Sequence, residues 1–540
     1  MKTSADVVIA GGGPVGLMLA LELHQRGVDV MLLEQKTEPS YFVKALGISP
    51  RTLEIWDQRG LLEEALSAGI FLRGTAVIVD GVESEAQHAP TEGYGYGVLA
   101  LPQYDAERIL RDALLRHGGR IEWGTALTAL EDRGDRVVAT LRGADGPERR
   151  VECGYVAGCD GAHSTVRHAL GFGYEGQALE MTFMLGDVLI DAPLTRGMAY
   201  RAIHLVDGEM RNMVVAIPIA GDPRRYRLSM AAPEAYWQEG ADLATPPTLE
   251  ILSAAVESTF PAGTTLSDLR WSSFYRISHR IASQYSSGRC FLAGDAAHIH
   301  PPIGGQGMNT GLQDAFNLGW KLALAVDGRA ADGFLESYGA ERRPVGLEVV
   351  NRTSARMGKV IEGSDRGETD AQMRDDSQLF VHYADSAWVT EDPSVATRSP
   401  RGPRAGERAP EVAGLKREYV DAPARLLHLL RHTGHTAFFY ADETTTEAEY
   451  RRFAALADEL RRRLGDVACH GIGAPSAKPL DLERVRWARD TAGRFRAGFG
   501  AVGGSIELVR PDGYVGYRGA VANTDGLRAA LDRVVRAPSS

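Results

Sequence analysis

Two glycine-rich stretches have the spacing to hold an anionic cofactor, and the second of them also carries residues suited to chemistry. The first, Gly11-Gly12-Gly13-Pro14-Val15-Gly16, follows the β-branched run Asp6-Val7-Val8-Ile9-Ala10 and opens a helical stretch to Gln25. Gly11 allows the tight turn, Gly13 lets backbone approach a pyrophosphate, and Gly16 lets helix and strand pack closely. The helix N-terminus then faces the phosphates. Glu34, 18 residues beyond Gly16, stands where an acid accepts from a ribose 2′-hydroxyl and repels a 2′-phosphate. The second stretch begins with Gly294-Asp295 at the end of an apolar run. It continues as Ile299-His300-Pro301-Pro302-Ile303-Gly304-Gly305-Gln306-Gly307-Met308-Asn309 into Leu312, Ala315, Phe316, Gly319, Leu322 and Ala323, which have helical spacing. Free backbone N–H groups and the positive dipole end of such a helix stabilise negative charge on a bound ring. His298 and His300 sit two residues apart beside prolines, with no carboxylate cluster nearby, so they are expected to be structural rather than metal-binding or basic.

The elements that must position these groups follow from periodicity. Gly27 ends the first helix and Val28–Leu33 reads as a second buried strand, which completes a βαβ unit. Val156–Arg167 places the Asp160-Gly161 turn after an apolar strand and before a short helix stopped by Gly171. Between about residues 174 and 280 the pattern changes to alternating runs, Met181–Asp191, Met198–Val206, Met213–Ile219 and Arg227–Ala231, with Asp207-Gly208-Glu209 as a turn. An antiparallel sheet is expected there, with Arg201, His204, Met213 and Tyr226 as candidates for the substrate wall. Residues 399–410, rich in Pro, Gly and Arg, read as a linker. Beyond them lie a strand (437–440), a helix (447–464), a strand (466–470) and a hairpin through 508–516.

Taken in order, Gly11-x-Gly13-x-x-Gly16, Asp160-Gly161 with Ser164 and Arg167, and Gly294-Asp295 through Pro301-Pro302 to Gly307-Met308-Asn309 resemble the fingerprints of the single-component flavoprotein aromatic hydroxylases. This is the family of para-hydroxybenzoate hydroxylase. The resemblance covers about residues 5 to 350, including Pro102-Gln103 before a helix and Tyr338 with Glu341-Arg342-Arg343-Pro344. It implies an α/β fold: a Rossmann-like FAD-binding domain (1–173 and 281–398) and an inserted antiparallel-sheet substrate domain (174–280). A C-terminal domain (399–540) resembles the thioredoxin-like tail of the phenol- and polyketide-hydroxylase branch but lacks Cys-x-x-Cys. It implies that Gly11, Gly13, Pro14, Gly16 and Glu34 hold the FAD adenosine end, that Gln103 and Asp295 with Gly294 contact its ribityl-pyrophosphate part, and that Gly304, Gly307, Met308 and Asn309 wrap the flavin. Asp160, Gly161 and Arg167 are tied to both FAD and NAD(P)H, and the carbonyl of Pro302 sits against the oxygen-transfer point. Lys44-Ala45 stands where the family has Arg-Ala, with Arg51 a little further on. Lys lacks the bidentate fork of Arg, so which cation meets the cofactor stays open.

The reaction so implied takes hydride from NADPH or NADH, forms a flavin C4a-hydroperoxide from O2, and hydroxylates an aromatic phenolic substrate, with polycyclic polyketides favoured over benzoates. Baeyer–Villiger oxidation or epoxidation of a similar substrate uses the same flavin chemistry. A flavin dehydrogenase or reductase without oxygen transfer shares the first motif, and a non-enzymatic flavin carrier needs no Pro301-Pro302 loop.

Composition agrees with a globular enzyme of more than one domain: 540 residues, 44% apolar, 24% charged and a net charge of −11. That charge disfavours nucleic acid as a partner and leaves a small aromatic substrate and O2. Cys153, Cys159, Cys290 and Cys469 are dispersed, which suggests neither a redox disulfide nor zinc. No signal peptide or continuous apolar span is legible, so no membrane partner and a cytoplasmic location are expected. A homodimer is compatible with all of this.

Overall fold

The computed structural model describes residues 2–536 except 42–44, 85, 89–93, 145, 239, 363–368, 399–401, 478–479, 481 and 483–484, and omits the side chains of 396–398. In chain order its main elements begin with β1 (Ser4–Ala10), α1 (Pro14–His24), β2 (Val30–Glu34), α2 (Pro50–Gln58), β3 (Gly74–Val79), α3 (Gln103–Arg116) and β4 (Glu148–Gly158). A β-rich stretch follows: β5 (Tyr174–Asp191), β6 (Met198–Val206), β7 (Glu209–Pro218), β8 (Arg225–Ala231), α4 (Leu249–Thr259) and β9 (Thr265–Ala282). Then come β10 (Cys290–Leu292), α5 (Gln306–Val326), α6 (Glu336–Ile361) and α7 (Asp370–Asp376). The last part holds β11 (His435–Ala441), α8 (Glu447–Leu464), β12 (Val467–Gly473), β13 (Arg486–Arg489), β14 (Ser505–Val509), β15 (Val515–Ala520) and α9 (Thr524–Asp532).

In the first sheet β1 lies between β2 and β4, parallel to both, and β10 runs parallel beside β4. The strands Val7-Val8-Ile9 and Met31-Leu32-Leu33 are buried on both faces, which is why they read as unbroken apolar runs. This order has a functional result. The carboxyl ends of β2, β1, β4 and β10 deliver Glu34, Gly11, Asp160 and Gly294 side by side, at the edge where open α/β sheets bind ligands. Hydrogen bonds lock the row: Gly11 N–H to Leu33 O (2.9 Å), Cys159 N–H to Ala10 O (2.8 Å) and Ala293 N–H to Gly158 O (2.9 Å). Gly11, at φ +103°, is required there, because a Cβ would stand 2.3 Å from the Cys159 carbonyl oxygen.

The second sheet has the order β9-β5-β8-β7-β6-β3, antiparallel except that β6 and β3 run parallel. Asp207 (φ +54°) and Gly208 (φ +82°) form the tight turn between β6 and β7, as their types predict. One face packs on α4 through Leu252 and Val256 against Met184, Tyr226, Leu228 and Met230. Because β3 comes from residues 74–79, this sheet is not one contiguous insert of residues 174–280; the chain enters it earlier, before returning to α3.

The third sheet, β15-β14-β11-β12-β13 with two short flanking strands, carries α8 and α9 and a core of its own around Phe438, Phe439, Phe453 and Phe495. It closes over α2, every residue of which is buried. Arg51, Glu54 and Asp57 on that helix are buried charged groups, so each must be paired. Arg51 binds Glu54 (2.9 Å) and the Asp512 carbonyl (2.7 Å), Glu54 binds Arg408 (3.0 Å), and Asp57 binds Arg431. No described helix is long and apolar enough to cross a membrane.

Candidate active site

A cavity of about 1420 Å³ lies between the carboxyl edge of the first sheet and the second sheet. Gly13, Pro14, Gln103, Gly161, Asp295, Pro302, Gly304, Gly307, Met308 and Asn309 line one end, and Arg201, Met213, Val215, Ile217, Ser229 and Tyr275 the other. Two helices start at the first end. Neither α1, which begins after Gly13 with Pro14 at its first position, nor α5, which begins after Gly305 at φ +64°, has a side chain capping its N-terminus. Elsewhere Ser49, Thr248 and Thr446 supply such caps to α2, α4 and α8. Two uncapped, positively polarised helix starts facing one cavity fit the pyrophosphate and the electron-rich ring of a flavin dinucleotide.

Side chains around this cradle hold its loops. Glu34 accepts from the N–H groups of Gly12 (2.8 Å) and Lys36 (2.9 Å), which fixes its carboxylate at the end of β2 beside the glycine turn. The Asn309 amide is committed to the protein: Ser49 N–H donates to its oxygen (2.9 Å), and its nitrogen donates to Gly47 (2.9 Å) and Gly305 (2.7 Å) carbonyls. Gln103 similarly donates to Glu107 (2.8 Å) and accepts from Ala45 N–H (3.4 Å). Asp160 accepts from Thr165 N–H (2.7 Å) through one oxygen, while the other is buried without a partner. Arg167, 2% exposed, does not line the cavity. It donates to the carbonyls of Ala296 (2.9 Å) and Ala162 (2.7 Å) and stacks on Tyr174 at 3.8 Å, tying the Asp160 and Asp295 turns together. Lys44 lies outside the described residues.

A buried charge cluster braces the same end. Asp314 on α5 accepts from Gly294 N–H (3.1 Å), pairs with His298 Nε2 (2.8 Å) and receives Arg342 Nε (2.7 Å), while Arg342 also donates to the Thr310 carbonyl (3.1 Å). Burial opposes ionisation of Asp314, but Arg342 and His298 overcome it and hold the carboxyl below its ordinary value. His298 is buried in this cluster and does not line the cavity. His300 differs: it lines the cavity, and burial next to His298 pushes its imidazole down to about 4, so it is neutral at pH 7.

At the sheet end strand alternation sorts the candidates. Along β8, Arg227, Ser229, Met230 and Ala231 line the cavity, whereas Tyr226 is 1% exposed, sits in the core beneath α4 and packs edge-on to Tyr200 at 6.4 Å. Tyr226 is therefore a core residue and not part of the wall. His204 does not line the cavity either; it pairs with Asp80 (2.8 Å) at the outer end of β6. Arg201 and Met213 do face it, with Arg201 Nε donating to the Met213 sulfur (3.2 Å). Sequence reasoning missed Arg227. Its guanidinium binds both oxygens of Asp187 (2.7 and 2.9 Å) and the Ala45 carbonyl (3.2 Å), and lies over Trp271 at 5.0 Å, linking the sheet to the segment after Lys44. Its two-residue spacing from Ser229 was the available signal.

Residues 4–353 match the family described as an FAD binding domain. The chain belongs to this family of FAD-dependent aromatic monooxygenases. It is 34% identical over 539 residues to the 12-dehydrotetracycline 5-monooxygenase/anhydrotetracycline 6-monooxygenase of Streptomyces rimosus, covering 97% of this chain and 98% of that protein. Rifampicin monooxygenase of Streptomyces venezuelae is 39% identical over 367 residues, 65% of this chain and 71% of that protein. Among solved structures, aklavinone-11 hydroxylase with FAD and aklavinone superposes with a TM-score of 0.76 at 25% identity, over 98% of each chain. The protein is an oxidoreductase, a monooxygenase that takes FAD as cofactor and NAD(P)H as reductant. The reading of the sequence as a flavoprotein aromatic hydroxylase stands.

Proposed function

We propose that this monooxygenase hydroxylates a polycyclic, polyketide-type phenol. The observation that carries the reading is the size and continuity of the cavity: about 1420 Å³, against roughly 300–1,000 Å³ for ordinary ligand pockets, with room for a cofactor at one end and a broad guest at the other. The guest end is a flat sheet face of Val215, Ile217, Ser229 and Met213, suited to a planar polycycle. Relatives named for tetracycline and aklavinone chemistry support the same class.

FAD supplies the chemistry, activating O2 after reduction by NAD(P)H and passing one oxygen atom to the ring. In our reading the chain's residues bind and orient. The N-termini of α1 and α5 hold pyrophosphate and ring, with Gly11, Gly13, Pro14 and Gly16 giving close approach and Glu34 meeting the adenosine ribose. Gln103, Asp295 and Gly161 line the path between, while Asp160, Gly294 and Arg167 hold its turns. Gly304, Gly307, Met308 and Asn309 form the ring cradle, and the Pro302 carbonyl stands at the transfer point. Arg201 and Met213 touch the substrate. We further read the chain as an FAD domain, a sheet domain and a thioredoxin-like C-terminal domain. A cytoplasmic location suits its free thiols and need for NAD(P)H.

The test is mass spectrometry of products after incubating the flavin-loaded protein with NADPH, 18O2 and a panel of simple and polycyclic phenols. Label in a hydroxylated polycycle supports the reading; label in simple phenols alone overturns it, and a ring-expanded or epoxide product reassigns the reaction.

A further inference from the structure

The third sheet and its loops have no part in the chemistry above, yet one of their arginines reaches the cavity wall. Tyr94, Tyr96, Gly97 and Val98 line the cavity on the segment that leads into α3. The Tyr96 hydroxyl donates to Asp57 Oδ2 (2.6 Å) on the buried helix α2 and accepts from Arg425 Nη1 (2.8 Å), 329 residues later in the chain. The same guanidinium lies 4.9 Å from the centre of the Tyr96 ring, and its Nε donates to Glu411 (3.1 Å). A Cβ at Gly95 would stand 3.3 Å from Arg425 Nη2, so the backbone of the segment also lies against this side chain. Arg431, again from the C-terminal unit, holds the Asp57 oxygen that Tyr96 leaves unused. Tyr96 is thus gripped on one side by α2 and on the other by the C-terminal unit.

The geometry points to Arg425 as a positioning residue: the C-terminal unit uses it to set the 94–98 wall of the substrate cavity by holding the hydroxyl and ring of Tyr96. The contact has the features of a specific fastening rather than a surface ion pair. A charge-assisted hydrogen bond to a neutral hydroxyl, a stacked ring and a carboxylate partner converge on one guanidinium, a geometry that Lys cannot reproduce. The unit is therefore part of the active site's architecture although none of its residues is assigned to the reaction.

The claim about the wall is testable by amide hydrogen exchange on the full-length, FAD-loaded protein without any substrate. A charged hydrogen bond contributes about 1.5 kcal/mol or more, roughly tenfold in an opening equilibrium. Arg425→Gln is therefore expected to speed exchange of residues 94–98 about tenfold while leaving β11 unchanged. In a Tyr96→Phe background the same change should add about threefold or less, because the hydroxyl it acts through is gone. Exchange at 94–98 unaltered by Arg425→Gln, or altered by the same factor in both backgrounds, would overturn the proposal. Should Arg425→Gln not fold, Arg425→Lys serves, with a smaller expected increase confined to the same segment. A kinetic arm rests on the cavity being the substrate site: with the best phenol of the panel, Arg425→Gln should raise KM several-fold and leave kcat within about twofold. Faster exchange with unchanged KM would retain the fastening and remove 94–98 from the substrate wall.

Discussion

Glu507 on β14 is fully buried, beside Ser505 and Arg518. Burial pushes its carboxyl up to about 7 from an ordinary 4.5, against the pull of Arg518. The folded protein holds this proton more tightly than the unfolded chain does, so this one group's contribution to stability is fully present below pH 4.5, is lost as pH rises through about 7 and stays absent above. Glu507→Gln is expected to stabilise the protein by about 1–3 kcal/mol at pH 8 and to have little effect near pH 4, measured by denaturant unfolding. At the cofactor end, Gly11→Ala should cost about 1–3 kcal/mol or more and leave little bound flavin, since its Cβ would strike the Cys159 backbone. Asp295→Ala should fold normally but retain less FAD, read as flavin absorbance per protein; full occupancy would remove Asp295 from the site.

At the scale of elements, strand direction sets Tyr226 apart from the cavity wall. Tyr226 points into the core with its hydroxyl unpartnered, so Tyr226→Phe should leave kcat/KM unchanged and stability equal or higher. Val215→Phe, on the cavity face, should lower kcat/KM for the largest phenols of the panel at least tenfold and spare the smallest. The same elements show what the sequence made legible. Gly11, Glu34, Asp160 and Gly294 are local punctuation at strand ends, and parallel pairing of four neighbouring strands brings them into a row. Arg201, His204, Met213 and Tyr226 were all candidates for the inward face of this sheet. Two of them drop out by parity: His204 stands three residues from Arg201 on β6, and Tyr226 pairs with Pro218, five residues from Met213 on β7. Arg227 had the right parity but no motif to mark it. The Asp314–His298–Arg342 cluster joins three segments whose pairing depends on tertiary packing alone.

On the scale of the whole molecule, the least legible feature was the interface over α2. Arg51 and Asp512 are 461 residues apart, and nothing local in either announces the other. Removing residues 402–536 should leave Arg51, Glu54 and Asp57 without most of their partners, so the shortened chain is expected to be insoluble or free of flavin; a yellow, soluble product would show the N-terminal part to be self-sufficient. The cavity itself has a further consequence. Among the described residues it runs as one chamber from the helix starts to the sheet wall. A guest that fills the sheet end therefore acts as the stopper of a flask whose contents are spoiled by water. A guest that fits loosely is expected to admit water, so that reductant is consumed with release of hydrogen peroxide in place of product. The ratio of peroxide to hydroxylated product thus becomes a ruler for shape, ranking candidate guests by how well they close the vessel before any of them is seen bound.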